Sequence, residues 1–206
     1  MSLVVDLCGT LITENTTHAF LRGLSLRGTA RFCSALGLSP AISWWDGVTG
    51  RSSGRGLQVF GLKGLSRTLL YEEGSKYVRS RLQTHANSKV LEAVREAQRR
   101  SVFVYLATAT LDPIADAVVK ELSLTDMVCS RLDYDRDGIC SGRLAVDLLG
   151  QKWHALSHLI PSHDRELVVY TDNPDDTDLM EQASHVYYIG NKEAVRTLPL
   201  AKFTFI

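Results

Sequence analysis

The sequence predicts an α/β fold: a Rossmann-like parallel sheet covered by helices, with an α-helical cap inserted after the first strand. Three observations predict it. Short apolar runs recur along the 206-residue chain, helical patterns alternate with them, and a long stretch without strand signals separates the first run from the second. Runs that are apolar on both faces are typical of parallel strands covered by helices on both sides. The strand–loop–helix order favours the α/β class.

The strand-like runs are residues 3–5, 102–106, 167–170 and 186–189. After the second run, Asp112 supplies a helix N-cap and Pro113 occupies the first helical position, so a helix is expected there. A hairpin is expected over residues 133–144, with its turn at Asp137 and Gly138.

The domain organisation follows from the long stretch between the first two runs. Six glycines lie between Gly47 and Gly64, and they interrupt helical patterns in a region without strand signals. We therefore expect residues 15–87 to form the helical cap, and residues 1–14 and 88–206 to form the core.

Composition excludes several classes of protein. The chain carries 23 basic and 23 acidic side chains, whereas a general nucleic-acid binder has a basic excess. No apolar run reaches the roughly 18 residues of a membrane span, and no signal peptide is visible. The four cysteines show no metal-site spacing, which favours free thiols in a reducing compartment. The chain is expected to be cytoplasmic, and its oligomeric state stays open.

The zero net charge conceals two opposed parts. Residues 15–67 hold seven basic side chains and one acid, Asp46, so this segment carries about +6 and the remainder about −6. A basic cap over an acidic base would attract an anionic substrate. Two alternatives remain: the arginines are solvated helix faces, or the segment contacts anionic lipid headgroups through Trp44 and Trp45.

Acidic and hydroxyl side chains that suit one reaction directly follow the predicted strands. Asp6 follows the first run and Thr108 the second, while Asp172 and Asp176 follow the third. Lys152 opens an amphipathic helix just before that third run. Ligands of open α/β sheets bind beyond the carboxyl ends of the strands, so these side chains should converge. A carboxylate nucleophile, carboxylates for Mg²⁺, a hydroxyl and a lysine suit phosphoryl transfer.

These residues carry a resemblance to a known family. The segment Val-Val-Asp-Leu-Cys-Gly-Thr-Leu, residues 4–11, resembles the Asp-x-Asp-Gly-Thr-Leu nucleophile motif of the haloacid dehalogenase superfamily of phosphohydrolases. Thr108 matches the second motif and Lys152 the third, while Asp172 and Asp176 match the metal motif Gly-Asp-x-x-x-Asp. The match spans nearly the whole chain and lies in the branch close to phosphoserine phosphatase, which has a helical cap.

The resemblance implies a role for each matched position. Asp6 would form an aspartyl-phosphate, and Mg²⁺ would be held by Asp6, the Cys8 carbonyl and Asp172. Asp176 would either bind Mg²⁺ directly or contact one of its ligands. Thr171 stands where the metal motif of the family has glycine. The implied catalytic residues are Asp6, Cys8, Thr108 and Lys152. The implied substrate-binding residues are Gly9, Thr10, Ala109, Glu14 and Asn15.

Two positions depart from the pattern of the family. Phosphoserine phosphatases carry a glutamate nine residues after the nucleophile, where this chain has Asn15, with Glu14 one residue short. At position 8 the phosphatases have a second aspartate, which protonates the leaving group and later activates water. Here that residue is Cys8, and positioned acid–base groups contribute roughly 10²–10⁴-fold in rate.

The cysteine leaves three functional hypotheses. In the first, the protein is a Mg²⁺-dependent phosphohydrolase of a small phosphorylated molecule that is slow or restricted to good leaving groups. In the second, it is a catalytically impaired module that binds a phosphorylated ligand or regulates a partner. In the third, Cys8 is a redox switch beside a cationic site.

Overall fold

A computed structural model describes residues 1–24, 53–162, 164, 166–198 and 200–206. Several residues on which the sequence-based expectations depend lie outside these described ranges: Arg27, Arg31, Cys33, Trp44, Trp45, Asp46 and Arg51. The lipid-contact hypothesis and most of the basic cap segment therefore stay predictions.

The described chain contains one seven-stranded sheet in the order β4-β3-β2-β1-β5-β6-β7. Its strands are β1 (Ser2–Val5), β2 (Phe103–Leu111), β3 (Asp126–Tyr134), β4 (Cys140–Val146), β5 (Leu167–Thr171), β6 (His185–Tyr188) and β7 (Phe203–Phe205). All neighbouring strands are parallel except β3 and β4. The mixed α/β architecture with a mostly parallel sheet confirms the predicted fold class.

The described helices lie between these strands along the chain, four of them between β1 and β2. They are α1 (Thr16–Gly23), α2 (Ser53–Phe60), α3 (Arg67–Thr84), α4 (Ser88–Arg99), α5 (Asp112–Leu122), α6 (Lys152–Leu156) and α7 (Thr177–Gln182). Short 3₁₀ turns cover Lys192–Val195 and Leu200–Lys202. None of the helices in the described ranges has both the length and the apolar character needed to cross a membrane.

Strand β2 is longer than the sequence indicates. It runs to Leu111, so Leu111 is the N-cap of α5, and Asp112 is the first helical residue instead of the cap. Val5 at the end of β1 pairs with Leu106, which places Thr108 inside β2 at the level where β1 has already ended. Thr108 therefore faces the rim of the sheet although its strand continues.

The predicted hairpin is present as the antiparallel β3–β4 pair. Asp135 Oδ1 accepts hydrogen bonds from the backbone N–H groups of Asp137 and Ile139, and Gly138 adopts a φ of +74°. This left-handed conformation is readily available to glycine, which explains why the Asp-Gly pair marks the turn.

The apolar core lies on both faces of the sheet. Strand β1 is buried along its whole length, with Leu3 and Val5 in one apolar cluster and Val4 in the other. The alternation follows from the two-residue period of a strand. The residue after this strand, Asp6, consequently emerges from the centre of a fully covered sheet.

Between β1 and β2, the described residues form helices α1 to α4 and no strand of the sheet. Helix α3 packs closely on α5: a Cβ atom at Gly74 would lie 2.4 Å from the Pro113 carbonyl oxygen. The boundary of the cap at residue 87 stays a prediction, and its last long helix lies against a helix of the predicted core.

Candidate active site

A cavity of about 440 Å³ opens at the rim of the sheet where β1 and β5 end. Its wall includes many of the residues singled out from the sequence: Asp6, Cys8, Asn15, Thr108, Ala109, Lys152 and Asp172. The convergence expected from strand ends is therefore present in the fold.

Asp6 lies on the floor of this cavity. Its side chain is nearly inaccessible, at 4% exposure, and both of its oxygens are held. The Leu7 N–H donates to Oδ1 at 2.7 Å, and Lys152 Nζ lies 3.0 Å from Oδ2. Burial raises the pKa of Asp6, and the charge of Lys152 acts against that rise. The carboxylate is thus oriented by one backbone donor and one ammonium.

Lys152 connects two buried carboxylates. It is the first residue of α6, is 2% exposed, and donates to Asp176 Oδ2 at 2.7 Å, while Thr171 donates to the same oxygen at 2.7 Å. Burial disfavours the ammonium, yet Asp6 and Asp176 outweigh it and raise the pKa of Lys152. Burial raises the pKa of Asp176 to about 6 although Lys152 opposes it. The lysine therefore keeps its proton at neutral pH.

Asp172 is fixed by the loop that follows β1. Thr10 donates to Asp172 Oδ1 at 2.9 Å, and Tyr188 donates to the Asp172 carbonyl at 2.8 Å. Gly9 has a φ of +72°, and a Cβ atom there would lie 2.0 Å from Asp172 Oδ2. Burial raises the pKa of Asp172, with the Thr10 hydrogen bond acting against it. Glycine is required at position 9 by both the backbone conformation and this contact.

Cys8 lies in a triangle of hydrogen-bonding side chains. Its Sγ is 2.7 Å from Thr16 Oγ1 and 3.1 Å from Thr110 Oγ1, and the two hydroxyl oxygens are 3.0 Å apart. The backbone N–H of Thr110 donates to Thr108 Oγ1 at 3.1 Å. The thiol is therefore linked to the first turn of α1 through Thr16 and to the rim segment of β2 through Thr110.

Arg55 of α2 reaches the same rim from the far side of the cavity. Its Nη2 donates to the Ala109 carbonyl at 2.6 Å and to Ser130 Oγ at 2.8 Å, and lies 3.1 Å from Asp147 Oδ1. The guanidinium thus attaches a helix of the predicted cap to strands β2 and β3.

Four predicted residues are not part of the cavity wall. Gly9, Thr10 and Asp176 lie behind it and hold wall residues in place. Glu14 faces a neighbouring cavity of about 480 Å³, where it accepts from Tyr77 Oη at 2.9 Å and lies 2.8 Å from Arg81 Nε. The geometry therefore gives Glu14 a role in joining the segment before α1 to α3.

Nine wall residues in the described ranges were not predicted: Thr17, His18, Gly54, Arg55, Gln58, Thr110, Leu149, Asn173 and Pro174. Two signals could have indicated some of them. Thr110 is two residues from Thr108 and so shares its strand face. Asn15 is a good N-cap, and its Oδ1 does accept from the His18 N–H at 3.0 Å, which places His18 in the first helical turn after the nucleophile loop.

The site carries an excess of negative charge. Asp6, Asp172 and Asp176 are three carboxylates near one ammonium, that of Lys152. Among the described residues, no three His, Cys, Asp or Glu side chains are grouped closely enough to hold a metal ion by themselves. A cation here would therefore need main-chain oxygens or water in addition to the carboxylates.

The fold and the site together define an α/β protein with an acidic cavity at the rim of a parallel sheet. A family model described as haloacid dehalogenase-like hydrolase matches residues 3–181, which is most of the chain. The chain belongs to this family, as its motifs predicted.

Solved structures share this fold over almost the full length. A Bordetella pertussis Tohama I protein described as having unknown function has a TM-score of 0.71 at 18% identity, covering 100% of this chain and 97% of its own. A phospho-aspartyl intermediate analogue of phosphoserine phosphatase has a TM-score of 0.62 at 16% identity, covering 98% and 90%. Cytosolic 5'-nucleotidase IIIB bound to cytidine has a TM-score of 0.64 at 14% identity, covering 100% and 80%. A comparison with curated proteins finds no match.

Proposed function

We propose that this protein is a Mg²⁺-dependent phosphatase of a small phosphorylated molecule and acts through an aspartyl-phosphate on Asp6. The observation that carries the proposal is the Asp6 carboxylate, oriented by the Leu7 N–H and Lys152 at the floor of a cavity that Thr108 also lines. A structural relative described as a phospho-aspartyl intermediate analogue of phosphoserine phosphatase supports it, because that protein shares the fold over 98% of this chain.

The residues present fit a magnesium ion. Asp6 and Asp172 offer carboxylate oxygens and position 8 offers a main-chain carbonyl, and Mg²⁺ usually binds one or two carboxylates and keeps several waters. The raised pKa values of both carboxylates reflect buried negative charge that a divalent cation would compensate. When bound, Mg²⁺ would bring the phosphate to the carboxylate and neutralise part of the charge on its oxygens.

The protein side chains perform the transfer. An oxygen of Asp6 forms a bond to phosphorus while the ester P–O bond breaks and leaves its electron pair on the departing oxygen. The Thr108 hydroxyl and Lys152 ammonium stabilise the phosphoryl oxygens. Asp176 accepts a 2.7 Å hydrogen bond from Lys152 and so holds the ammonium in place. In the second step a water molecule attacks the aspartyl-phosphate, which releases inorganic phosphate and restores the Asp6 carboxylate.

Cys8 determines which substrates react well. A thiol is a poor replacement for a carboxylic acid as a proton donor. The Cys8 thiol is also already hydrogen-bonded to Thr16 and Thr110. The departing oxygen therefore receives little help from position 8, so we propose that turnover is slow or restricted to good leaving groups.

Replacing Cys8 by aspartate tests this explanation. The Thr16 and Thr110 hydroxyls can both donate to a carboxylate at position 8, so the variant should fold. We expect hydrolysis of an alkyl phosphate to rise by roughly 10²–10⁴-fold, well beyond the gain for an aryl phosphate. An equal gain for both esters would contradict the explanation.

A catalytically impaired module that binds a phosphorylated ligand or has a regulatory role is the second candidate. The engagement of Cys8 in a closed triangle of side chains favours it, since no carboxyl group is available for proton transfer there.

A panel of phosphoesters with and without Mg²⁺ separates the two candidates, with Asp6→Asn as the blank. Phosphate release above the blank that requires Mg²⁺ supports the phosphatase. Absence of release and of covalent phosphate on Asp6, together with Mg²⁺-dependent ligand binding, would support the binding module and refute the phosphatase.

A further inference from the structure

His18 occupies a distinctive position in the cavity wall. It lies in the first turn of α1 and lines the same cavity as Asp6 and Cys8. Gln58 of α2, which is only 5% exposed, places its amide Nε2 3.0 Å from His18 Nε2. An amide nitrogen only donates, so the ring nitrogen accepts and the neutral imidazole carries its proton on Nδ1. No hydrogen bond to Nδ1 occurs within the described residues.

The other ionisable side chains of the wall are already engaged. Among the described residues they are Asp6, Cys8, Arg55, Lys152 and Asp172, each with an ion pair or a hydrogen bond described above. Within the part of the chain that the structure describes, His18 therefore contributes an N–H group without a hydrogen-bond partner, whereas each of the other ionisable groups of the wall has one.

The electrostatics keep this imidazole neutral. Burial lowers the pKa of His18, and the positive charge of Arg22, one turn further along α1, lowers it further. A neutral ring in this setting is a hydrogen-bond donor at neutral pH and not a source of protons.

We propose that His18 contacts the substrate and donates a hydrogen bond to the oxygen of the leaving group, where Cys8 provides no carboxyl group. The inference rests on the phosphatase function proposed above. When the Asp6 oxygen bonds to phosphorus, the ester P–O bond breaks and its electron pair stays on the departing oxygen. The His18 N–H stabilises that charge, and water supplies the proton. Gln58 is a positioning residue that fixes the ring and its tautomer.

A series of esters with a constant phosphoryl group tests the proposal: p-nitrophenyl, phenyl and ethyl phosphate. In His18→Leu, kcat/KM for ethyl phosphate should fall by about 100- to 1,000-fold, because removal of one donor to a developing oxyanion has effects of this size. The loss for p-nitrophenyl phosphate should be several-fold smaller, since that leaving oxygen carries little localised charge. His18→Asn retains an N–H donor and should recover part of the activity on ethyl phosphate.

Two outcomes would overturn the proposal: equal losses for all three esters in His18→Leu, or a His18→Asn variant as poor as His18→Leu. Gln58→Met keeps the imidazole of His18 and removes its hydrogen-bond partner. Its loss of kcat/KM should be smaller than in His18→Leu and should again be larger for ethyl phosphate than for p-nitrophenyl phosphate. It serves as the second test if His18→Leu does not fold, and equal losses there would also refute the proposal.

A matched control and a blank make the result specific. His158 is exposed and lies outside the cavity wall, so His158→Leu should retain wild-type rates. Wild-type release no greater than that of Asp6→Asn with every ester would refute the phosphatase itself, and the role of His18 with it. Wild-type activity with uniform losses in His18→Leu would refute only the role of His18.

Discussion

Replacing Gly9 by alanine should displace Asp172 from the active site, and Gly64 offers a matched control. Both glycines have a left-handed backbone, with φ of +72° at Gly9 and +86° at Gly64. They differ in their surroundings: a Cβ at Gly9 would lie 2.0 Å from Asp172 Oδ2, whereas a Cβ at Gly64 would meet no atom within 4 Å. Comparing the two alanine variants separates backbone strain from the steric conflict.

The expected magnitudes follow from this difference. A non-glycine residue in the left-handed region costs about 1–2 kcal/mol, and this applies to both variants. In Gly9→Ala the Asp172 carboxylate must also rotate away and lose the 2.9 Å hydrogen bond from Thr10. A hydrogen bond to a charged group contributes about 1.5–3 kcal/mol. Gly9→Ala should therefore lose about 2.5–5 kcal/mol of unfolding free energy, and Gly64→Ala about 1–2 kcal/mol.

Urea unfolding of four variants measures these quantities. Gly9→Ala and Gly64→Ala are compared in the wild-type background and again with Asp172→Ala, which removes the atoms that conflict with the new Cβ. The excess cost at Gly9 should disappear in the second background. With Asp172 present, Mg²⁺-dependent phosphate release should be lost in Gly9→Ala and retained in Gly64→Ala; the Asp172→Ala variants lack a proposed magnesium ligand and serve for unfolding only. If Gly9→Ala costs no more than Gly64→Ala with Asp172 present, the proposed contact between the two loops is wrong.

Three further perturbations have expected outcomes. Lys152→Met leaves two buried carboxylates without their ammonium and should lower the unfolding free energy by about 3–5 kcal/mol. Its control, Lys120→Met, breaks an exposed ion pair with Asp116 and should change the unfolding free energy by less than about 1 kcal/mol. Gly74→Ala should lower the unfolding free energy by about 1–3 kcal/mol, because the new Cβ would meet the Pro113 carbonyl of α5. A Cβ at Gly56 would meet no atom within 4 Å, so Gly56→Ala should be neutral or slightly stabilising. Thermal unfolding of the two variants measures the difference. Burial raises the pKa of Asp112, so the folded state binds its proton more tightly and stability is lost as pH rises above 4, with a slope of up to about 1.4 kcal/mol per pH unit. Unfolding measured from pH 4 upward should show that slope in the wild type, and the contribution should be absent from Asp112→Asn.

The strand-end motifs could be predicted because local sequence determines them. Asp6 follows a strand buried along its whole length, and Asp172 follows another, so the rim position of both carboxylates is a consequence of strand length alone. Lys152 opens a short helix whose apolar side lies against the sheet, which fixes its direction toward the same rim. Sheet order was not needed for these predictions, since parallel strands all end at one edge.

The cap side of the site could not be predicted in the same way. His18 and Gln58 lie on different helices, separated along the chain by 40 residues, and their contact depends on how the helices pack. Neither residue belongs to a motif or a periodic pattern that distinguishes a wall residue from a solvated one. The three-residue strand β7 escaped detection for a related reason, because a period of two cannot be recognised in so short a segment.

Position 8 separates two tasks that belong to different atoms of one residue. The proposed metal contact uses the main-chain carbonyl, which is present whatever the side chain is, whereas proton transfer uses the side chain alone. Under the proposed function, a cysteine at this position would therefore keep the carbonyl that contacts Mg²⁺ and lack only the acid. The Thr16 and Thr110 hydroxyls accept or donate equally well, so they satisfy a thiol as readily as a carboxylate. We therefore expect substitution here to change the rate and the leaving-group preference while the site keeps its architecture. For this reason leaving-group dependence is the most informative property to measure.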